Sequence, residues 1–407
     1  MTDTNNSNSP YRWVVLMAFF GVAAVSQMLW LNFAPLVTFL EDKYQVSELA
    51  VSSLLLSFPL LYVLLSIHSG VLIDKKGYKY VIALGSIISS VFACMRIFDN
   101  SFTVLLIGQT GIAIGQPYII NGISKLVSDW FSKEHTAMAT GIGTAGLMIG
   151  MAIGMGLTPA LNDSIGFHAT MIFFAALSWA LTLLFIFLAK ENHLDKTVAA
   201  AMGSLEELKQ LLRIRNLVVI FVLAFLAIGF FNGLTTWIEP ILKPNGINSE
   251  EAGIVGAFLI LGGIVGSVII PSLSDKYGVR KPFLVVCCMV ALAILYPLCT
   301  MKSLTVVYAL AGLMGFFFLP GYALLLSMCE ELAGSNKAGA ATGLLMLAGN
   351  AGAVIVIVLM PMINSKSDNW INSVYLMIAV MTLTLITAWG GLRETFPGTN
   401  TGIKLEE

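Results

Sequence analysis

The 407-residue chain is 57% hydrophobic and 11% charged, with a net charge of -1 and a mean hydropathy of +0.86. Soluble domains carry about 25% charged residues, so this composition excludes one and points to an integral membrane protein. The absence of a basic excess argues against a nucleic-acid surface, and the five cysteines (Cys94, Cys287, Cys288, Cys299 and Cys329) fall in apolar runs without metal-ligand spacing.

Twelve apolar stretches are long enough to cross a bilayer as helices. In chain order they lie at about 13–39, 48–73, 79–98, 103–129, 136–161, 167–189, 216–242, 250–273, 282–301, 304–329, 338–363 and 371–392. The expected fold is all-α, because an open sheet leaves its backbone unsatisfied in lipid. The apolar run after Arg12 is too long for a signal-peptide core and reads as the first span. Span 1 carries Gln27 and Trp30 three residues apart, on one face. Span 2 ends in "SIHSG" with His68 and Gly70, followed by Asp74, Gly77 and Lys79. Span 4 carries Gln116, Tyr118 and Asn121 about Pro117, which removes a backbone donor and can kink the helix. Asp129 closes that span. Span 7 carries Asn232, Trp237 and Glu239, and spans 10 and 11 carry Tyr322 and Asn350.

The longest connection contains "SLEELKQLLRIR", with Leu205, Leu208, Leu211 and Leu212 at helical spacing. We expect residues 1–189 and 216–407 to form two six-helix bundles joined by a cytoplasmic linker at 190–215 with an amphipathic helix. If the N-terminus is inside, only Lys43, Arg96, Lys243, Lys302 and Lys366 of the 22 Lys and Arg residues lie at the outer face. The positive-inside bias therefore places both termini in the cytoplasm.

The two halves repeat one another. "GVLIDKKGYKY" (70–80) and "PSLSDKYGVRK" (271–281) align Asp74 with Asp275, Gly77 with Gly278, and Lys79 with Arg280. Thr140-Gly141 and Thr342-Gly343 keep nearly the same offset, as do Pro117 with Pro320 and Pro159 with Pro361. Parallel six-helix repeats are a transporter architecture with the solute site between the halves. The loop "G-x-L-x-D-K-x-G-x-K" and its second copy resemble the signature of the major facilitator superfamily over the whole chain. That resemblance implies two halves related by a pseudo-two-fold axis and transport by alternating access. It also implies a gating role for Gly70, Asp74, Gly77, Lys79, Asp129, Asp275, Gly278 and Arg280, with Asp129 the acid expected to pair with the first loop. Pro271 replaces the first glycine of the second copy, which predicts a weaker second gate.

Polar and aromatic residues inside spans are candidates for the solute site: Gln27, Trp30, Gln116, Tyr118, Asn121, Asn232, Trp237, Tyr322 and Asn350. They include no lysine or arginine, which disfavours an anion and leaves an organic cation or a neutral, hydrogen-bonding solute. The segments "MLWLNFAPL" (28–36) and 108–146 resemble the feline leukaemia virus subgroup C receptor-related family of choline, ethanolamine and haem transporters. By that resemblance Trp30 and Gln116 match the tryptophan and glutamine that contact the amine. Glu239 lies 23 residues after Asn216, roughly 35 Å along a helix, so it is expected at the outer mouth as a hydrated acid. A proton or cation site there, with His68 as its rival, is the functional alternative.

The expected function is transport of a small organic solute, as symporter or uniporter, in a cell membrane. A proton-coupled drug or organic-anion exporter is the alternative, and a non-transporting membrane sensor or scaffold the alternative of another class. No enzyme constellation, metal site or cofactor is expected. The expected partners are the solute, the lipid bilayer and a coupling proton or sodium, in a monomer that binds no nucleic acid.

Overall fold

The computed structural model describes residues 9–132, 135–191, 209–334, 337–364 and 370–393. These form twelve long apolar helices and, among the described residues, no strand. We label them α1 (Tyr11–Tyr44), α2 (Glu48–Lys76), α3 (Tyr78–Met95), α4 (Phe102–Trp130), α5 (Met138–Ile165), α6 (Phe167–Leu188), α7 (Arg215–Asn245), α8 (Ser249–Tyr277), α9 (Lys281–Thr300), α10 (Leu304–Ala333), α11 (Ala338–Asn364) and α12 (Ile371–Gly391). One end of the bundle carries the first and last described residues together with the connection between halves; we call it the tail face, and the opposite end the far face. Leu205 and Leu208 of the expected linker helix lie outside the described residues, whereas Leu211 is buried and Leu212 exposed.

Helix ends follow local chemistry. Ser47 accepts the Ala50 N–H at the start of α2, and Asn248 forms a reciprocal capping box with Glu251 at the start of α8. Gly77 and Gly278, at the matching ends of α2 and α8, have φ of 82° and 67°. That is backbone that glycine adopts without penalty. Three spans are interrupted. α1 stops at Leu31 and resumes after a short 3-10 turn at Ala34–Leu36. Pro35 explains the break, since it brings no N–H to the Leu31 carbonyl and disfavours helix at the preceding residue. α4 changes course at Asn121, one turn after Pro117, and α10 at Leu319, before Pro320.

The packing repeats with a period of six helices. α1 lies on α5, α2 on α4, and α3 on α6; α7 lies on α11, α8 on α10, and α9 on α12. The first half is therefore α1–α6 and the second α7–α12. They meet along two equivalent seams, α2 with α11 and α5 with α8, and at the far face, where α7 packs on the interrupted end of α1. The α5–α8 seam is very close. A Cβ added to Gly253 would stand 2.4 Å from the Met155 carbonyl oxygen, and one on Gly256 2.1 Å from the Met155 methyl. Within each half, Gly150 and Gly154 let α5 approach the α1 backbone, and Gly352 lets α11 approach α7.

Candidate functional site: an aromatic and amide column between the halves

Four of the sequence-derived site residues fall in one region of the first half. The Trp30 indole donates to the Leu55 carbonyl (2.9 Å) and its ring packs on Phe58, centroids 4.5 Å apart. Phe58 meets Tyr62 edge-on at 5.7 Å. The Tyr62 hydroxyl donates to Asn121 Oδ1 (2.7 Å), and Asn121 Nδ2 donates to Ser66 Oγ (3.1 Å) and Ser69 Oγ (2.7 Å). One turn away the Tyr118 hydroxyl meets His68 Nδ1 at 2.8 Å. Asn121 reaches α2 because it stands at the turn in α4. A cleft lined by Tyr62, Val63, Ser66 and Ile67 of α2 and by Gly343 and Leu347 of α11 opens beside this column. It is narrow, with room for about one water molecule, far short of a drug-sized site.

Phe58, Tyr62, Ser66 and Ser69 were missed by sequence reasoning. Their spacing of four, four and three residues is the signature of one helix face, and it was readable in "SFPLLYVLLSIHSG".

Gln116 and Gln27 are elsewhere. Gln116 is fully buried and donates to the Ser26 carbonyl (2.8 Å). Its Oε1 and the Gln27 Nε2 are buried without hydrogen-bond partners. In the second half, the Tyr322 hydroxyl meets Met346 Sδ at 2.9 Å. Asn232 and Asn350 turn back on their own helices, donating to Ile228 and Met346 carbonyls. Trp237 lies apart from the column. It is fully buried, donates to the Ile357 carbonyl (3.1 Å) and stacks on Trp370, centroids 4.8 Å apart. It packs α7 against α11 and the start of α12.

Glu239 is a correction. The sequence estimate of depth is right, since the residue lies at the far end of α7. Its hydration is not: Glu239 is 2% exposed. Its carboxylate accepts the Thr38 N–H (3.1 Å) and the Thr38 hydroxyl (2.8 Å), across from the first half, and the Ser249 hydroxyl at 3.5 Å. Glu41, Glu48 and Lys243 are its charged neighbours. α7 therefore binds the resumed segment of α1 through a buried carboxylate at the boundary between halves. Nearby on the far face, Asp99 binds Lys43 (2.6 Å) and His168 (3.1 Å). Burial alone would push the Asp99 carboxyl up, but hydrogen bonds from Lys43 and His168 outweigh it and hold the group below its usual range.

At the tail face the two signature loops differ. Arg280 binds Asp275 through Nη1 (2.8 Å) and Glu331 through Nε (2.9 Å) and Nη2 (2.5 Å). Bonding to Glu331, more than any other factor, makes Arg280 hold its proton more tightly than usual. The second loop is thus the better tied, against the expectation from Pro271. In the first copy Asp74 is exposed, and Asp129 is bridged by Lys125 of its own helix (2.8 Å), which also faces Asp74 of the first loop. The Lys79 N–H donates to Glu191 Oε1 (3.0 Å), just beyond α6. Tyr78 is fully buried and bonds the Lys190 carbonyl and the Trp130 indole. Gly70 has open space around it, so no close approach requires a glycine there.

The family profile of the Major Facilitator Superfamily matches residues 18–247 and 239–406. The chain belongs to the major facilitator superfamily. It is a membrane transporter of that superfamily. Among its relatives, this transporter is 24% identical over 372 residues to the choline/ethanolamine transporter FLVCR2 of Homo sapiens, covering 84% of this chain and 70% of that protein. It is 23% identical to the uncharacterized MFS-type transporter C09D4.1 of Caenorhabditis elegans, covering 93% and 69%. An uncharacterized protein of Archaeoglobus fulgidus is 34% identical over 184 residues, 45% of this chain and 83% of that one. Among solved structures, a bacterial homolog of the human lysosomal transporter Spinster, inward-facing and unoccupied, superposes with a TM-score of 0.74 at 18% identity, covering 94% of this chain and 96% of the other. The fold is the two-halved facilitator fold expected from the duplication.

Proposed function

We propose that this transporter carries a small organic amine or quaternary ammonium ion, recognised along the Trp30–Phe58–Tyr62–Asn121 column. The observation that carries the reading is the column itself: three aromatic rings in succession, one contact tilted and one edge-on, ending in an amide, with no lysine or arginine among its members. Ring faces attract a cation by about 0.5–2 kcal/mol each, and nothing in the column repels it. The naming of several relatives as choline/ethanolamine transporters supports the same class. In this reading Gln27 and Gln116 are buried hydrogen-bonding reserves on α1 and α4, and Tyr118 and His68 pair one turn from Asn121.

The positive-inside bias makes the tail face cytoplasmic. Glu239 and Thr38 are then the outer latch, and the structure is the form closed to the outside. Glu239 is also our candidate for a coupling proton. As an anion its carboxylate accepts from two donors of Thr38, whereas the neutral acid gives up part of that capacity. The solute test is uptake into proteoliposomes of radiolabelled choline, ethanolamine and a carboxylate of similar size. Saturable amine uptake is expected, with Trp30→Ala raising KM roughly threefold to thirtyfold, as one lost cation–π contact predicts. Uptake of the carboxylate alone would sink the amine reading. For the latch, Glu239→Gln should increase labelling of a cysteine placed at the far face, and unchanged labelling removes its gating role.

A further inference from the structure

We infer that Arg96 and Gln109 form a clamp that caps the broken end of α1 and thereby positions Trp30 for the solute. Arg96 follows α3 at the far end, where its side chain would ordinarily reach water. It is instead 1% exposed. Burying a guanidinium is costly unless its hydrogen bonds are met, and here they are met by neutral partners. Nη1 donates to the Leu29 carbonyl (2.9 Å) and to Gln109 Oε1 (3.0 Å), Nη2 reaches Met171 Sδ (3.4 Å), and the Phe33 ring lies 4.2 Å from Cζ. No carboxylate bridges Arg96 among the described residues.

The carbonyls it seeks are those that the break leaves without backbone donors. The last backbone bond of the first α1 segment runs from the Asn32 N–H to the Met28 carbonyl (3.0 Å). The next two carbonyls, of Leu29 and Trp30, accept from side chains: Arg96 on Leu29, and Gln109 Nε2 on Leu29 (3.2 Å) and Trp30 (3.4 Å). Gln109 thus uses both ends of its amide, receiving from Arg96 and donating to α1. Gly108 makes the space. A Cβ there would stand 2.8 Å from Arg96 Cγ. The clamp holds the peptide of Trp30 itself while the indole is fixed separately on Leu55, so Trp30 is gripped at both ends. Arg96 and Gln109 are positioning residues; neither belongs to the column.

The inference rests on Trp30 as a solute contact, and the variants separate the two. Gln109→Glu gives Arg96 a counter-charge, which favours folding, but turns the donor facing the α1 carbonyls into an acceptor. The expected result is a melting temperature at or above wild type, faster hydrogen exchange in residues 32–37 without any solute, and a choline KM raised threefold to tenfold with Vmax retained. Arg96→Lys, which keeps the charge but loses the fork, should show the same exchange signature. Wild-type exchange in both variants overturns the clamp. Faster exchange with unchanged KM, while Trp30→Ala raises KM, overturns its positioning role. Unchanged KM in Trp30→Ala overturns the reading of Trp30, and the positioning role with it.

Discussion

The two signature loops start from one pattern and end in different contacts. Asp74, Lys79 and Asp129 stand 201, 201 and 202 residues before Asp275, Arg280 and Glu331. The second set assembles into an ion triad, whereas in the first half Lys125 takes the cationic place between Asp129 and Asp74. The chemistry of one position accounts for much of this. Arginine presents a planar fork that serves two carboxylates at once, whereas lysine offers a single strongly hydrated ammonium. Neighbours account for the rest: Lys125 satisfies Asp129 from within α4, and Glu191 takes the exposed N–H of Lys79 at the start of α3. The duplicated sequence therefore carries over a glycine of positive φ at each turn, but neither the rest of the turn geometry (ψ 163° at Gly77, 22° at Gly278) nor the ion pairs.

The sharpest way to break this contrast is Glu331→Gln. It leaves Arg280, 7% exposed, with one weakened partner and should cost about 1–3 kcal/mol, read as a lower melting temperature of the purified transporter. An unchanged melting temperature would make the triad an ornament of the static structure. In the first half Glu191→Gln should cost less, about 0.3–1 kcal/mol, the worth of an anion at a helix N-terminus. A loss as large as that at Glu331 would show the first loop to be equally tied.

A contact remote from both loops calibrates the scale. Asp99→Asn should cost under about 1 kcal/mol at pH 7. The native carboxyl is held below its ordinary range, so its stabilisation is complete above the unfolded value of about 3.9 and fades as pH falls through the lower native value. The difference in melting temperature between Asp99→Asn and wild type should therefore shrink between pH 7 and pH 3. The smallest effect on stability is expected for exposed Asp74→Asn, within about 0.5 kcal/mol. A fall in uptake rate at unchanged melting temperature would assign Asp74 to the opposite, tail-closed state.

Length and hydropathy made the spans legible, and the matching offsets made the duplication legible, because both depend on composition along the chain. What a sequence conceals is which side of a helix meets a neighbour. Glu239 was placed at the right depth and given the wrong surroundings, since distance along α7 says nothing of Thr38 across the boundary. Trp237 and Trp30 look alike in sequence; one packs α7 against α11 and the other stands on the column. Arg96 read as an outer-face charge, because nothing near it in the chain announces that α1 breaks and leaves carbonyls to cap. The break itself had a visible cause in Pro35. The face of Tyr62, Ser66 and Ser69 is equally visible in the spacing, but single serines in apolar runs seldom signal anything.

Gly253 and Gly256, lying on Met155, have a mechanical consequence. Most packed helices interlock like gear teeth, and one can turn on the other only if side chains leave their slots. Here a nearly smooth strip of α8 lies on the backbone of α5, with the flexible thioether of Met155 as the chief protrusion. Such a seam works as a plain bearing, keeping the halves in contact through a swivel while offering little to disengage. A methyl group at position 253 would wedge that bearing, far from both the Trp30 column and Glu239.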